Sequence, residues 1–133
     1  EVSPTALDLF AGTGSIGLEL ASRGCGKVVS VEKDFKHWQF LSRVQKELQI
    51  KEWLPLKGDV FKYVHTCRVQ YDIIFADPPY ALENLADIPD VALPLLAEGG
   101  VFILEHGGSY DFSQHPRFVN HRNYGSVNFS FFQ

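Results

Sequence analysis

Along the first hundred residues, short apolar runs alternate with segments whose apolar residues recur every three or four positions. Apolar runs of this kind predict β-strands, and they occur at residues 5–10, 27–31, 53–57, 71–76 and 101–105. The intervening segments predict helices or helical turns, at residues 15–23, 34–48, 60–65 and 91–97. Alternating β and α elements are typical of an α/β fold with a Rossmann-like, doubly wound, mostly parallel sheet.

The pattern changes near the end of the chain. Residues 118–123 and 126–132 predict two strands around Gly125, which is the pattern of a β-hairpin. The second of these segments alternates apolar with smaller or polar residues, so one of its faces should be buried. We therefore predict that the mostly parallel sheet ends in an antiparallel β-hairpin.

The helix predicted after the second strand carries an aromatic and aliphatic stripe. Asp34 is a suitable N-cap for it. Its apolar residues fall at spacings of three and four, at Phe35, Trp38, Leu41, Val44 and Leu48. A stripe of this width predicts packing against the sheet.

A glycine-rich turn follows the first predicted strand. Residues 8–17 read Asp-Leu-Phe-Ala-Gly-Thr-Gly-Ser-Ile-Gly, with Gly12, Thr13 and Gly14 between an apolar run and a helix. Glycine permits positive φ and leaves no Cβ in a ligand's way, and the helix start offers unpaired N–H groups and partial positive charge. This order of elements predicts a nucleotide-type site at the carboxyl edge of the sheet.

The glycines alone leave two kinds of cofactor open. The spacing Gly12-x-Gly14-x-x-Gly17, with Glu32 at the end of the second strand, fits the dinucleotide fingerprint, and an S-adenosylmethionine site uses the same architecture. Asp8 favours the latter, because it would face an ammonium group and repel a pyrophosphate. The stretch Asp77-Pro78-Pro79-Tyr80 also favours it, since this stretch has no role in hydride transfer.

Acidic residues end three of the predicted strands: Glu32, Asp59 and Asp77. Ligands of open α/β sheets bind at this edge. The Glu32 carboxylate can accept two hydrogen bonds from vicinal ribose hydroxyls. Asp59 can accept one from an adenine amino group, with Val60 or Phe61 against the ring; its competing role is that of a helix N-cap.

Composition limits the possible functions. At 133 residues and 45% apolar content, the chain predicts a single globular domain. Cys25 and Cys67 are isolated and the five histidines lack ligand spacing, so we predict no metal, no disulfide and a cytoplasmic location. We also expect a monomer. We expect no membrane segment and expect His106 to face solvent. The net charge of −4 is unusual for a nucleic-acid binder.

These motifs resemble those of class I S-adenosylmethionine-dependent methyltransferases that act on amino groups, whose signature is Asp/Asn-Pro-Pro-Tyr/Phe/Trp. Within that group the chain is most similar to the bacterial small-subunit ribosomal RNA guanine-N2 methyltransferases of the RsmD type. The matching segments span nearly the whole chain, at residues 8–17, 31–34, 58–59, 75–80 and 124–127.

The resemblance implies an enzyme that methylates an exocyclic amino group, guanine N2 in small-subunit ribosomal RNA or in an assembly intermediate of that subunit. It implies S-adenosylmethionine as the cofactor, bound by Asp8, Phe10, Gly12, Thr13, Gly14, Glu32, Lys33, Asp59 and Val60. The implied catalytic residues are Asp77, Pro78, Pro79 and Tyr80. Asp77 and the Pro78 carbonyl would accept hydrogen bonds from the amino group and localise its lone pair, and Tyr80 would stack on the flipped base.

Three alternatives stay open. A DNA adenine-N6 methyltransferase shares the Asp-Pro-Pro-Tyr stretch but usually carries a further domain that reads base sequence. A nicotinamide-dependent oxidoreductase would use the glycine turn and leave residues 77–80 unexplained. A module that binds the cofactor without catalysis would need the same cofactor motif.

The chain departs from the family at its start. In the family a basic segment precedes the first strand, helps to cover the cofactor and holds RNA, whereas residues 1–4 precede that strand here. The sequence contains no methionine. We therefore expect residues 1–133 to be a single catalytic domain that lacks its N-terminal segment, and we expect this domain alone to bind RNA weakly.

Overall fold

The computed structural model describes residues 3–133, which form one seven-stranded sheet with its helices. The strands are β1 Thr5–Leu9, β2 Lys27–Glu32, β3 Trp53–Lys57, β4 Tyr71–Ala76, β5 Leu96–His106, β6 Phe118–Tyr124 and β7 Val127–Phe132. The helices are α1 Ser15–Ser22, α2 Phe35–Glu47, α3 Val60–Thr66 and α4 Ile88–Ala92, with 3₁₀ turns at Leu85–Asp87 and Leu93–Leu95. Residues 1 and 2, which belong to the predicted domain 1–133, lie outside the described residues. Among residues 3–133, no helix is long and apolar enough to span a membrane.

The strand order across the sheet is β3-β2-β1-β4-β5-β7-β6. The first five strands pair in parallel, and β7 pairs antiparallel with both β5 and β6. The chain winds outward from β1 in both directions, which is the doubly wound arrangement. The predicted α/β, Rossmann-like, mostly parallel sheet ending in an antiparallel β-hairpin is confirmed.

The parallel register brings the ends of neighbouring strands to one edge. Leu9 of β1 lies opposite Ala76 of β4, and Ala76 lies opposite Leu104 of β5. The next residues along β4 and β5, Asp77 and Glu105, are therefore neighbours at the carboxyl edge. This edge borders the switch between β1 and β4, where open α/β sheets bind their ligands.

Alternating side chains divide the core into two layers. Leu7 and Leu9 belong to the cluster under α3 and α4, whereas Ala6 belongs to the cluster under α1 and α2. Because successive side chains of a strand point to opposite faces, Asp8 lies on the same face as Ala6. Both layers exclude water, and burial of this kind is the main favourable term in folding.

The segment before β5 differs from the prediction. A helix was expected at residues 91–97, but α4 ends at Ala92, a 3₁₀ turn follows, and β5 starts at Leu96 instead of residue 101. Pro94 lacks the N–H that a continuing helix would need. The β4–β5 register shifts between Tyr71 and Ile73, so a bulge absorbs the extra residues at the start of β5.

Helix α2 also differs in part from the prediction that its apolar stripe packs on the sheet. Leu41 is fully buried, but Phe35 is 53% exposed and Leu48 is 57% exposed. The indole of Trp38 donates a hydrogen bond to the Pro55 carbonyl at 3.2 Å, which ties the helix to β3. The two ends of the stripe therefore lie outside the core.

The C-terminal hairpin is anchored by Phe132. Its ring is fully buried and stacks on Phe102 of β5 with 5.4 Å between ring centroids. Phe112 and Phe118 pack edge-on against it. The aromatic cluster joins the antiparallel hairpin to the parallel part of the sheet.

Replacing Phe132 by alanine should lower the free energy of unfolding by about 3–5 kcal/mol, the usual cost of deleting a buried phenylalanine ring. Urea denaturation measures this change. The matched control is Val119→Ala on the exposed side of β6, which should change stability by about 0.5 kcal/mol or less. Equal losses in the two variants would contradict the anchoring role of Phe132.

Candidate active site

A cavity of about 1000 Å³ opens at the carboxyl edge of the sheet. Its volume is at the upper end of the usual range for small-molecule sites. Its walls come from the ends of β1, β2, β3, β4 and β5, and they are Phe10, Gly12, Glu32, Lys33, Asp34, Phe35, His37, Asp59, Val60, Phe61, Asp77, Pro78, Pro79, Tyr80, Leu82, Asn84 and Glu105. Ten of the thirteen predicted site residues are among them; Asp8, Thr13 and Gly14 are not.

The chain leaves β1 in an unusual backbone conformation. Phe10 has φ 61°, and Gly12 and Gly14 have φ 57° and 82°. A positive φ is rare for a bulky residue and indicates strain that the surrounding fold holds in place. It turns the chain sharply into α1, and Phe10 meets Phe61 edge-on, with 6.2 Å between ring centroids.

The Glu32 carboxylate fixes the glycine turn to the end of β2. One oxygen accepts a hydrogen bond from the Gly12 N–H at 2.6 Å, and the other accepts from the Asp34 N–H at 2.8 Å. A carboxylate has about four acceptor positions, so each Glu32 oxygen retains one. Both free positions belong to a residue of the cavity wall, where they suit a pair of neighbouring hydroxyl groups.

The end of β3 supplies a polar residue and an apolar wall. Asp59 lines the cavity and also caps α3, because its Oδ1 accepts a hydrogen bond from the Lys62 N–H at 3.1 Å. The capping interpretation of Asp59 is therefore correct, and one of its oxygens is occupied. Val60 and Phe61 continue the wall with the apolar surface that a planar ring needs.

The Asp77-Pro78-Pro79-Tyr80 segment forms the opposite wall. Asp77 donates its backbone N–H to the Leu9 carbonyl at 3.3 Å, which extends the β1–β4 pairing by one residue. The Tyr80 ring is 52% exposed and lies near Gly107, where an added Cβ would be 4.0 Å from the Tyr80 Cδ2. An exposed aromatic face at a cavity mouth can stack on a planar ligand.

Asp77 and Glu105 form a pair of neighbouring carboxyl groups in the cavity. The aligned ends of β4 and β5 place them side by side. Burial raises the pKa of Asp77, although its interaction with the neighbouring Glu105 carboxyl lowers it in part. Burial and the Asp77 charge both raise the pKa of Glu105. The pair therefore retains a proton more readily than isolated carboxyl groups do.

The structure places Asp8 behind the cavity wall, and its predicted contact with the cofactor stays a prediction. Asp8 is 2% exposed and lies behind the turn, because its position in β1 points it toward α1. The Ser30 hydroxyl donates to it at 2.9 Å, and the Trp53 indole donates to the Ser30 hydroxyl at 2.9 Å. Asp8 therefore supports the turn from below, and no direct contact with a ligand's ammonium group follows from its position.

Thr13 and Gly14 also lie outside the cavity wall. Thr13 is exposed at the outer side of the turn, and Gly14 is buried. A Cβ on Gly14 would lie 2.2 Å from the Leu41 Cδ2, so this glycine permits close packing of the turn on α2. Glycine is needed at position 14 because the site has no space for a side chain and the backbone has a positive φ. This role is different from the predicted contact with a ligand.

The expectation that His106 faces solvent is wrong, because this residue is fully buried. Its Nδ1 donates to the Gly107 carbonyl at 2.8 Å, so Nε2 accepts from the Ser130 hydroxyl at 2.7 Å. Burial lowers the pKa of His106. The hairpin strand β7 covers it, which the sequence pattern of β5 alone does not indicate.

Several wall residues were not predicted. Phe35 and His37 come from the first turn of α2, Leu82 and Asn84 follow Tyr80, and Glu105 lies one residue before the end of β5. Glu105 had a detectable signal, since it is the last residue of the strand predicted at residues 101–105. The same strand-end argument would have found it.

The walls carry a strongly acidic character. Five carboxyl groups line the cavity, from Glu32, Asp34, Asp59, Asp77 and Glu105. Among the described residues of the wall, Lys33 is the one lysine or arginine. Such a cavity attracts cationic or neutral, donor-rich ligands and repels anionic ones.

Comparisons with known proteins agree with this geometry. A family model described as Conserved hypothetical protein 95 matches residues 2–133. The chain is 31% identical over 106 residues to the "Putative rRNA methyltransferase YlbH" of Bacillus subtilis strain 168, covering 75% of this chain and 58% of that protein. It is 30% identical over 118 residues to the ribosomal RNA large subunit methyltransferase K/L of Shewanella loihica, covering 84% of this chain and 16% of that protein. The chain thus spans little more than half the length of the Bacillus subtilis protein and about a sixth of the length of the Shewanella loihica protein.

A solved structure of a ribosomal RNA methyltransferase also matches this chain. The 16S rRNA N2 methyltransferase RsmC of Thermus thermophilus, in complex with AdoMet and guanosine, matches with a TM-score of 0.81 and 25% identity. The match covers 99% of this chain and 38% of that chain. The predicted resemblance to ribosomal RNA methyltransferases with the S-adenosylmethionine-dependent fold is confirmed.

The buried Asp8 carboxyl should make stability depend on pH. Burial raises the pKa of Asp8 from 3.8 to about 7, and the Asp77 and Glu32 charges add to this against the lowering effect of the Ser30 hydrogen bond. Between these two values the folded chain holds a proton that the unfolded chain releases, so the contribution of Asp8 to stability falls as pH rises.

Asp8→Asn, which cannot titrate, should remove this contribution to the slope, which is up to about 1.4 kcal/mol per pH unit for one proton. Urea unfolding at a series of pH values measures it. Glu98→Gln, at an exposed site in β5, is the control and should keep the wild-type slope. If Asp8→Asn also kept that slope, the pKa of Asp8 would not be raised in the folded chain.

Proposed function

The chain belongs to the Conserved hypothetical protein 95 family, and from this premise we propose that it transfers a methyl group from S-adenosylmethionine to an exocyclic amino group of a ribosomal RNA base. The finer proposal is guanine N2 in small-subunit RNA, free or in an assembly intermediate. One observation carries it: Glu32 and the Asp77-Pro78-Pro79-Tyr80 segment line the same cavity. The cytoplasmic location and the monomeric state stay predictions.

The residues near the glycine turn fit the adenosine part of the cofactor. A Cβ built on Gly12 would meet nothing within 4 Å, so the turn is open to a ligand. The free acceptor positions of Glu32 suit the ribose hydroxyls, and Val60 and Phe61 suit the adenine ring. When bound there, the cofactor supplies a methyl group that its sulfonium already activates.

The Asp77 segment suits the target amino group. The lone pair of an exocyclic amine is delocalised into its ring, which makes the amine a poor nucleophile. The Asp77 carboxylate and the Pro78 carbonyl can accept its two hydrogens, which localises the lone pair on nitrogen. Pro79 fixes the direction of the segment. Positioning of this kind contributes up to about 7–11 kcal/mol in favourable cases.

Tyr80 suits the flipped base itself. Removing a base from its stack costs a few kcal/mol, and stacking on an aromatic side chain restores about 1–3 kcal/mol. The Tyr80 ring is exposed enough to do so. The base would then lie between this ring and the two carboxyl groups of Asp77 and Glu105.

The relatives support RNA as the substrate and leave the subunit to the proposal. RsmC of Thermus thermophilus is named for 16S rRNA and methyltransferase K/L for the large subunit. The nicotinamide alternative is disfavoured by charge, because a pyrophosphate would meet the acidic cavity wall. RNA phosphates meet the same repulsion, so a single flipped nucleotide should enter the cavity while the RNA backbone stays outside.

Glu32→Ala should weaken S-adenosylhomocysteine binding by about 1.5–3 kcal/mol, the scale of hydrogen bonds to a charged group. Isothermal titration calorimetry measures this affinity. Asp77→Ala, on the opposite wall, is the matched loss of a carboxylate and should leave the affinity unchanged. Unchanged affinity in Glu32→Ala would remove Glu32 from the cofactor site.

Asp77→Ala should slow the chemical step by about 10²-fold or more, as expected for one positioned group that stabilises developing charge. Single-turnover methyl transfer to ribosomal RNA with the full-length protein measures this rate. Tyr80→Ala should reduce both turnover and RNA affinity, whereas Tyr80→Phe should retain most of both because the ring is kept.

The two outcomes that contradict these roles are distinct. Loss of cofactor binding in Asp77→Ala, with an unchanged circular dichroism spectrum, would move Asp77 to the cofactor site. Full activity in Tyr80→Ala would show that the base does not stack on this ring.

A further inference from the structure

We propose that Glu105 determines which base the site accepts, by receiving the ring N1–H of guanine while Asp77 receives a hydrogen of the neighbouring N2 amino group. This inference rests on the proposed function and names one further specificity-determining residue for it. It starts from the register of β4 and β5, in which Ala76 lies opposite Leu104.

That register makes Asp77 and Glu105 adjacent residues of one wall. Both line the cavity, and burial raises the pKa of each, so the pair retains a proton more readily than isolated carboxyl groups do. Among residues 3–133, neither carboxyl group forms an ion pair with a lysine, arginine or histidine. Two adjacent acceptors without a cation are costly unless a donor-rich ligand compensates them.

The pattern of hydrogen-bond donors and acceptors on the edge of each base decides which base fits the two carboxyl groups. Guanine presents N1–H and the N2 amino group side by side, so two adjacent positions are donors. Adenine and cytosine present an amino group beside a ring nitrogen that accepts. A flipped base is read through this edge, and an ionised Glu105 would meet the lone pair of that acceptor in adenine or cytosine. The carboxyl pair therefore favours guanine.

Guanine entry would release the proton that the raised pKa values favour on the pair. With N1–H on Glu105 and N2–H on Asp77, both carboxyl groups are ionised and one proton passes to solvent. Binding is then favoured above the raised pKa values of the pair and lost as pH falls through them.

Among residues 3–133, the groups that face the pair do not supply a compensating cation. Asp8 lies behind Asp77, the Tyr80 phenol lies beside both carboxyl groups, and β7 presents Phe129 opposite Glu105. The basic groups of the wall, Lys33 and His37, follow β2. In the sheet, β1 lies between β2 and β4, and both β1 and β4 lie between β2 and β5. Lys33 and His37 therefore follow a strand that is adjacent to neither β4 nor β5.

The test compares wild-type full-length protein with Glu105→Ala, Glu105→Gln and the control Glu98→Gln, which removes an exposed carboxylate from the far end of the same strand. Each reacts with ribosomal RNA and tritiated S-adenosylmethionine in a single turnover. The RNA is then digested to nucleosides, and N2-methylguanosine is separated from N6-methyladenosine. Calorimetry with S-adenosylhomocysteine reports whether the cofactor half stays intact.

Glu105→Ala should form N2-methylguanosine about 10- to 100-fold more slowly, the effect of losing one hydrogen bond to a charged acceptor, with unchanged S-adenosylhomocysteine affinity. Glu105→Gln should raise the ratio of N6-methyladenosine to N2-methylguanosine, because its amide can donate to adenine N1. It should also move the acidic loss of activity to lower pH, since the amide does not titrate. Glu98→Gln should match the wild type in the rate of methyl transfer, the base ratio and the pH profile.

Wild-type rates, base ratio and pH profile in both Glu105 variants would overturn the inference while leaving the proposed function standing. If the wild-type protein forms N6-methyladenosine or another product and no N2-methylguanosine, the guanine proposal fails and this inference fails with it.

Discussion

The site depends on the parallel register that joins β2, β1, β4 and β5. Because these strands run in the same direction with their ends aligned, the residues at or just beyond those ends meet at one edge, and these include Glu32, Asp77 and Glu105. The strained turn after β1 then sits between Glu32 and Asp77, held by the hydrogen bond from Gly12 to Glu32. In the proposed function, this geometry places the cofactor, held at Glu32, next to the target base, held at Asp77.

Electrostatics then selects the ligands. Five carboxyl groups in one cavity would destabilise the fold unless hydrogen bonds and ligands compensate them, and the structure provides part of this compensation. Glu32 accepts two backbone N–H groups, and Asp59 accepts one. Asp77 and Glu105 have raised pKa values instead, which favours retention of a proton by the pair. A cofactor with a sulfonium and an ammonium group, and a base with adjacent donors, complete the compensation in a way that a dinucleotide does not.

Sequence reasoning succeeded where position along the chain decides position in space. Glu32 and Asp77 follow apolar runs, so the strand-end rule finds them without knowledge of packing. The rule fails where packing decides. Asp8 faces α1 because of the pleat of β1, Phe35 has the same helical spacing as a core residue but opens into the cavity, and His106 is covered by a strand that comes two dozen residues later.

The most direct test of this account is a calorimetric comparison of S-adenosylhomocysteine and NADH as ligands of the wild-type chain. The acidic cavity and the free acceptor edge of Glu32 predict saturable binding of S-adenosylhomocysteine, with NADH bound at least about tenfold more weakly because its pyrophosphate meets like charge. Tighter binding of NADH would contradict the assignment of this edge to methyl transfer.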